Sequence, residues 1–123
     1  MNSERHYEAV VEPLKSDKYY PIDSDLLHGV LGLMDEVGEL AKVVKAHIFY
    51  GKRLSKENLK EECGDKLWFI NLICGVLDCT IEELLEINAK KLIARYPEGK
   101  FTEERANKRN IPVEIKAMEG KHV

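Results

Sequence analysis

The fold is decided by residues 26–47, which read LLHGVLGLMDEVGELAKVVKAH. Apolar residues recur here every three or four positions, which is the period of a helix with one buried face, and they do not alternate as in a strand. The apolar face comprises Leu27, Val30 or Leu31, Met34, Val37, Ala41 and Val44. We therefore predict a helix that Asp23 or Ser24 caps and that runs to about His47.

Two further helices are predicted after this one. All four prolines lie outside residues 22–96, so no proline interrupts the middle of the chain. Ser55 is placed to cap a helix that ends near Asp78, and Thr80 with Glu83 forms a capping box that starts the next helix. The sequence thus predicts an all-α, four-helix-bundle-like fold.

The ends of the chain carry weaker signals. A short amphipathic segment, about residues 3–16, is interrupted by Pro13. The last helix stops before Pro97, because the residue before a proline disfavours helical geometry. We expect residues 97–123 to form a basic, irregular arm with one short helix capped by Thr102. Together these segments make a single domain, 1–123, with a helical core at about 22–96.

Size and charge exclude several classes of function. A chain of 123 residues that is 44% hydrophobic suits one ordinary soluble domain. Its net charge of −3 gives no general attraction to nucleic acid or to an anionic membrane, so we expect neither as a partner. No apolar run approaches the roughly 20 residues of a membrane span, and the N-terminus lacks the apolar stretch of a secretory signal. We expect a cytoplasmic protein.

Two pairs of acids stand out on the central helices. Glu36 and Glu39 are three residues apart, as are Glu62 and Asp65, so each pair projects from one face of its helix. Each pair alone is typical of a solvated helix surface. The short turn between the helices, however, should make them antiparallel neighbours. Glu39 and Glu62 then lie about 12 Å and about 9 Å from the turn, which is nearly one height.

Facing carboxylates at this height require a cation. Two carboxylates about 6 Å apart repel each other by roughly 3 kcal/mol at an effective dielectric of 20. Hard oxygen donors without neighbouring His or Cys ligands select Mg²⁺, with Mn²⁺ as the alternative. A di-iron bundle would need two ExxH motifs, and Glu119 with His122 in the C-terminal tail provides one.

The helix after Thr80 offers the opposite charge. Asn88, Lys91 and Arg95 fall on one face at spacings of three and four. If this helix folds back along its predecessor, Lys91 and Arg95 bracket Asp65 and can clamp a polyphosphate. Taken alone, the same residues are typical of an ordinary charged helix surface.

Two motifs resemble a known family. DEVGELAK, Asp35–Lys42, and EECGDKLWFI, Glu61–Ile70, resemble the EExxE and ExxD motifs of MazG-like nucleoside triphosphate pyrophosphohydrolases, with Asp35 in place of the first glutamate. The resemblance extends over about residues 25–110 and implies an all-α bundle, obligate dimers or tetramers, and Mg²⁺-dependent hydrolysis of nucleoside triphosphates to monophosphate and pyrophosphate. It also implies metal ligation and phosphate binding by six residues. These are Glu36, Glu39, Glu62 and Asp65 at the metal, and Lys91 and Arg95 near the phosphates.

Some residues are candidates for finer roles. Glu39 is our choice for the carboxylate that accepts the proton of the attacking water. His28 lies about 16 Å along the helix from Glu39, within reach of a nucleoside, although a partly buried structural histidine is the simpler interpretation. Trp68 is one turn past Asp65 and can stack on a base, although a lone tryptophan is usually core. For the cations of the arm we expect exposure to solvent. They are Arg105, Lys108 and Arg109.

The sequence therefore predicts a Mg²⁺-dependent hydrolase of deoxynucleoside triphosphates that cleans the nucleotide pool. Phosphoribosyl-ATP pyrophosphohydrolase has similar carboxylate helices, but we would not expect it to carry the YPEGKF arm of residues 96–101. A non-catalytic helical oligomerisation or regulatory module is the alternative from another class. Apolar stripes on several helices of so short a chain also predict contact with further copies of itself.

Overall fold

A computed structural model describes residues 2–120, and this part of the chain contains helices and no strand. The predicted all-α class is confirmed. The helices are α1 (Ser3–Val11), α2 (Ser24–Tyr50), α3 (Lys56–Leu77), α4 (Ile81–Arg95), α5 (Glu103–Asn107) and α6 (Ile111–Glu119), and a 3-10 turn (Glu12–Leu14) follows α1 at Pro13. None of these helices has the length and apolar character needed to cross a membrane.

The predicted caps start the three central helices. The Asp23 side chain accepts hydrogen bonds from the backbone N–H groups of the first turn of α2, and Ser55 does the same for α3. Thr80 and Glu83 form both bonds of the capping box at α4. Helix α2 continues three residues beyond the predicted end, to Tyr50, because Gly51 supplies the left-handed C-cap with φ 64°.

Helices α2 and α3 form an antiparallel hairpin with a very close approach. A Cβ added to Gly32 would lie 2.1 Å from Cε1 of Phe69, and one added to Gly29 would lie 2.6 Å from Cγ1 of Ile73. A larger residue at either position would collide with the Phe69 or Ile73 side chain unless that side chain or the helix moved. The contacts also fix the register: Gly32 is level with Phe69, so one turn further along α2, Glu36 is level with Asp65.

Helix α4 does not fold back along α3, which corrects the sequence prediction. Asp78 ends α3 in the left-handed conformation with φ 54°, and α4 then makes few contacts with α3 and packs against α6. The predicted irregular arm is also wrong in part. The short helix capped by Thr102 is present, but α6 follows it, capped by Asn110 and with Pro112 in its first turn. The chain thus forms two helical pairs, α2 with α3 and α4 with α6.

Few side chains are buried within the described residues. Cys74 and Glu114 have the largest fully buried side chains, and Gly29 is buried between α2 and α3. Large apolar side chains on the second half of α2 remain exposed and line a groove; among them are Val37, Val44, Ile48 and Phe49. A single chain therefore leaves much of its apolar surface in contact with water.

Candidate metal and nucleotide site

Three carboxylates meet between α2 and α3. Glu36, Glu62 and Asp65 each offer an oxygen, and these oxygens all lie within 4.8 Å of one another. Glu36 and Glu62 are half-buried, whereas Asp65 is exposed. The close approach at Gly32 positions them, because it draws the two helices together one turn before Glu36.

The negative charges of the carboxylates in this cluster repel one another. The pKa of Glu36 is raised above its ordinary value, first by burial and then by the negative charges of Asp65, Glu62 and Asp35, while Lys66 acts in the opposite direction. A raised carboxylate pKa means that ionisation is costly at this position. A cation bound between the three groups would remove that cost.

The cluster also contains an oxygen with no hydrogen-bond partner. Oε2 of Glu62 is buried from solvent and accepts no hydrogen bond from any described residue. A buried carboxylate oxygen without a partner is costly, so such an oxygen suits a ligand that the protein itself does not provide. Three hard oxygen donors fit Mg²⁺, which binds few carboxylates and keeps several waters. The residues present therefore fit a divalent cation.

Glu39 lies outside this group of three. The register of the hairpin places it level with Glu62, but its Oε1 accepts a hydrogen bond of 2.9 Å from Nζ of Lys42. Both side chains are substantially exposed, and such a surface ion pair contributes little energy. Its predicted roles as fourth ligand and proton acceptor stay predictions.

Lys66 is a residue of this site that the sequence analysis missed. Its Nζ donates a hydrogen bond of 2.7 Å to the backbone carbonyl of Glu62, four residues earlier on α3. The bond folds the side chain back along the helix, which leaves its charge beside the carboxylates. A lysine directly after Asp65, where the charged first half of α3 gives way to the mainly apolar second half, was the available signal.

An aromatic cluster lies next to the carboxylates. The rings of His28 and Trp68 meet edge to face with their centroids 6.2 Å apart, and Phe69 contacts both rings. Trp68 is 58% exposed, so the usual core position of a lone tryptophan does not apply here. His28 is exposed as well. The structure thus brings together the two aromatic residues that we had proposed near a nucleoside.

The cations of α4 do not join the carboxylates within one chain. Asn88 is exposed and Lys91 is half-buried, on a helix whose main contacts are with α6. Arg95 has a different partner from the predicted phosphate, because its Nε donates a hydrogen bond of 2.7 Å to Glu114. The predicted bracket around Asp65 required α4 to lie along α3, and it is therefore not formed.

Glu114 is the second charged residue that the sequence analysis missed. This carboxylate on α6 is 1% exposed and is held by the guanidinium groups of Arg109 and Arg95. Hydrogen bonds from Arg109 and then from Arg95 lower the pKa of Glu114 to about 2. Arg105 pairs with Glu98 at 2.6 Å, and Lys108 is exposed. The charges of the arm mainly hold its own elements together.

The fold and the three carboxylates define an all-α protein with a candidate divalent-cation site at a helical hairpin. Residues 27–100, more than half of the chain, match the MazG nucleotide pyrophosphohydrolase domain. The chain belongs to this family, which confirms the resemblance seen in the two acidic motifs. Comparison with curated proteins and with solved structures gave no match.

Membership in the family indicates a nucleotide pyrophosphohydrolase, a hydrolase that acts on phosphoric anhydrides. The matched residues include the three clustered carboxylates, Lys66 and the aromatic cluster. Helices α5 and α6, with Glu114, lie beyond the match. The candidate site thus lies within the family domain, and the Arg95–Glu114 contact joins that domain to a segment outside it.

Proposed function

We propose that this protein hydrolyses nucleoside triphosphates, and deoxynucleoside triphosphates in particular, to the monophosphate and pyrophosphate, and so cleans the nucleotide pool. The observation that carries the proposal is the convergence of Glu36, Glu62 and Asp65, with the partnerless Oε2 of Glu62 among them. Such a cluster suits the metal-assisted attack of water on a phosphoric anhydride.

The carboxylates would hold Mg²⁺, with Mn²⁺ as the alternative ion. When bound, the ion would neutralise phosphate charge and polarise the phosphoryl group under attack. Glu39 would accept the proton of the attacking water. In support, Glu39 lies one turn from Glu36, and its exposed contact with Lys42 is weak enough to exchange.

The aromatic cluster would hold the nucleoside. Trp68 follows Asp65 by one turn on α3 and presents an exposed ring on which a base can stack. His28 contacts that ring edge to face and offers a polar edge to the base or sugar. A triphosphate could then extend from the aromatic cluster to the three carboxylates along the α2–α3 hairpin.

We further propose that the working form is a homodimer or homotetramer. The exposed apolar groove on α2 and the small number of buried side chains support contact with a second copy. Since α4 does not reach the carboxylates of its own chain, Lys91 and Asn88 would approach the phosphates from another copy. Arg95 would do so only if its bond to Glu114 were broken.

A panel of deoxynucleoside and ribonucleoside triphosphates, together with phosphoribosyl-ATP, tests the proposal when pyrophosphate release is measured with Mg²⁺ and with EDTA. We expect Mg²⁺-dependent release from at least one deoxynucleoside triphosphate and loss of release in Glu62→Gln. Preference for phosphoribosyl-ATP would favour the related pyrophosphohydrolase. A complete absence of release would favour a non-catalytic module. Sedimentation tests the assembly, and a stable monomer at micromolar concentration would contradict it.

A further inference from the structure

Lys66 on α3 is a cation whose charge acts on Glu36 of the acidic cluster. Its ammonium group donates a hydrogen bond of 2.7 Å to the backbone carbonyl of Glu62. Its positive charge lowers the pKa of Glu36, whereas the negative charges of nearby acids raise it. The side chain is half-buried, so it has less freedom to turn into solvent than the exposed lysines of α3.

The position of Lys66 on α3 explains this arrangement. Glu62, Asp65 and Lys66 occupy adjoining positions on one side of the helix, with Asp65 and Lys66 flanking the direction in which Glu62 points. A lysine four residues after Glu62 leans toward the preceding turn, where the Glu62 carbonyl accepts its hydrogen bond. The ammonium is thereby bonded to the backbone of α3 and not to a carboxylate.

The formal charges have a direct consequence for cation binding. Ionised Glu36, Glu62 and Asp65 carry −3, and Lys66 reduces the charge of these four groups to −2. Asp35, which also acts on Glu36, adds one further negative charge. A unit charge and a double charge about 6 Å apart repel each other by about 1.4 kcal/mol even at the dielectric constant of water, which corresponds to a tenfold change in affinity. Lys66 must therefore weaken the binding of a divalent ion at the cluster.

We propose that Lys66 is a positioning residue of the metal site, an internal cation that lowers the affinity of the site for free divalent ions. This inference rests on the proposed function, since it concerns the same carboxylates. It assigns a role to the Lys66 side chain, which contacts the backbone of Glu62, one of the proposed metal ligands. A site with this fixed charge leaves less net negative charge to repel the phosphates of an arriving nucleotide.

Mn²⁺ binding to the purified full-length protein tests this role without relying on activity. Free Mn²⁺ is measured by electron paramagnetic resonance at constant ionic strength, for the wild type and for Lys66→Met, which keeps an unbranched side chain of similar length and removes its charge. We expect one Mn²⁺ per chain for the wild type, and a Kd at least about tenfold lower for Lys66→Met. Lys66→Gln should behave like Lys66→Met, and it provides a neutral variant that remains polar if the first fails to fold.

Two controls separate charge from structure. Lys66→Arg retains the charge and should bind Mn²⁺ with nearly the wild-type Kd. Lys60→Met removes an exposed lysine of the same helix, and its Kd should also stay near that of the wild type. A wild-type Kd in Lys66→Met, or a Kd of Lys66→Arg as low as that of Lys66→Met, would overturn the role of Lys66. Failure of the wild type to bind Mn²⁺ at all would instead overturn the proposed metal site.

Discussion

Nε of Arg95 on α4 lies 2.7 Å from Oε1 of Glu114 on α6, so a buried carboxylate joins two residues that are 19 positions apart in the chain. Arg109 approaches the same carboxylate from the segment before α6. The two guanidinium groups neutralise a charge that could not otherwise be buried. This contact is the principal polar link between the matched family domain and α6.

Glu114→Gln should detach α6 from α4. The amide removes the negative charge and leaves the partly buried Arg95 without its ion partner. An unpaired charge in a buried position lowers the free energy of unfolding. We expect Tm to fall by about 5 °C or more. Glu119→Gln, at the exposed end of the same helix, is the matched control and should leave Tm unchanged. Equal Tm values for the two variants would show that the Arg95–Glu114 pair contributes nothing to stability.

The same carboxylate predicts a dependence of stability on pH. Because the folded pKa of Glu114 is about 2, below its ordinary value of 4.5, its contribution is fully present above pH 4.5 and is lost as pH falls toward 2. Wild-type Tm should therefore fall between pH 5 and pH 2 more steeply than that of Glu114→Gln, measured by circular dichroism. Parallel curves for the two proteins would contradict the lowered pKa.

The carboxylate cluster predicts opposite effects of one substitution with and without metal. Glu36→Gln removes a repelled charge, so its stability in EDTA should equal or exceed that of the wild type. With Mg²⁺ at a hundredfold excess over Kd, the wild type should gain roughly 2.7 kcal/mol, and the variant should lose most of this gain. Glu39→Gln, which alters a carboxylate outside the group of three, should retain more of the gain. Equal stabilisation of the wild type and Glu36→Gln by Mg²⁺ would show that Glu36 does not bind the ion and that the acids are typical of a solvated helix surface.

Trp68 predicts a direct signal of nucleotide binding. It is the single tryptophan of the chain, and its exposed ring should change its fluorescence when a base stacks on it. A non-hydrolysable deoxynucleotide should quench the emission in a saturable manner, whereas inorganic triphosphate should not. Trp68→Leu should lower kcat/KM about tenfold, mainly through KM. Equal quenching by the deoxynucleotide and by inorganic triphosphate would show that the base does not stack on Trp68.

If Lys91 serves the site of another copy, activity should be partly restored when an impaired Lys91 variant is mixed with an inactive Glu62 variant. Lys91→Met should lower kcat/KM at least about tenfold, and Glu62→Gln should abolish activity. If Lys91 acts on the site of another copy, mixed dimers of the two variants contain one intact site. Co-refolding equal amounts should then restore about a quarter of wild-type activity in a dimer. Activity no higher than the average of the separate variants would place Lys91 outside a shared site.

Local signals predicted most of the helices because each depends on residues close in the chain. Ser55, Thr80 and Glu83 determine where α3 and α4 begin, through hydrogen bonds to the backbone three residues away. Those bonds do not determine the angle between two helices. The left-handed conformation of Asp78 turns α4 away from α3, so the expected proximity of Lys91 and Asp65 did not follow.

The part of the site that depends on helical spacing was predictable, and the part that depends on side-chain rotamers and on α6 was not. Helical spacing and the short turn were enough to bring Glu36 to Glu62 and Asp65. The partner of Glu39 depends on a choice of side-chain rotamer, and the partner of Arg95 depends on a helix that periodicity did not reveal. Asn110 and Pro112 were the available signal for α6, since proline is favoured in the first turn of a helix.

The small size of Gly32 affects how far apart the three carboxylates lie, and therefore which ion would fit between them. Gly32 lies one turn before Glu36 and lets α3 approach so closely that even a methyl group would collide with Phe69. A larger residue there would have to displace the Phe69 ring or separate the helices, and a separation would widen the space among the three carboxylates. Mg²⁺ needs oxygens at 2.0–2.1 Å, whereas Ca²⁺ accepts 2.3–2.6 Å. If the three carboxylates hold Mg²⁺ as proposed, we expect substitution at position 32 to shift the preference toward Ca²⁺ without the loss of a ligand.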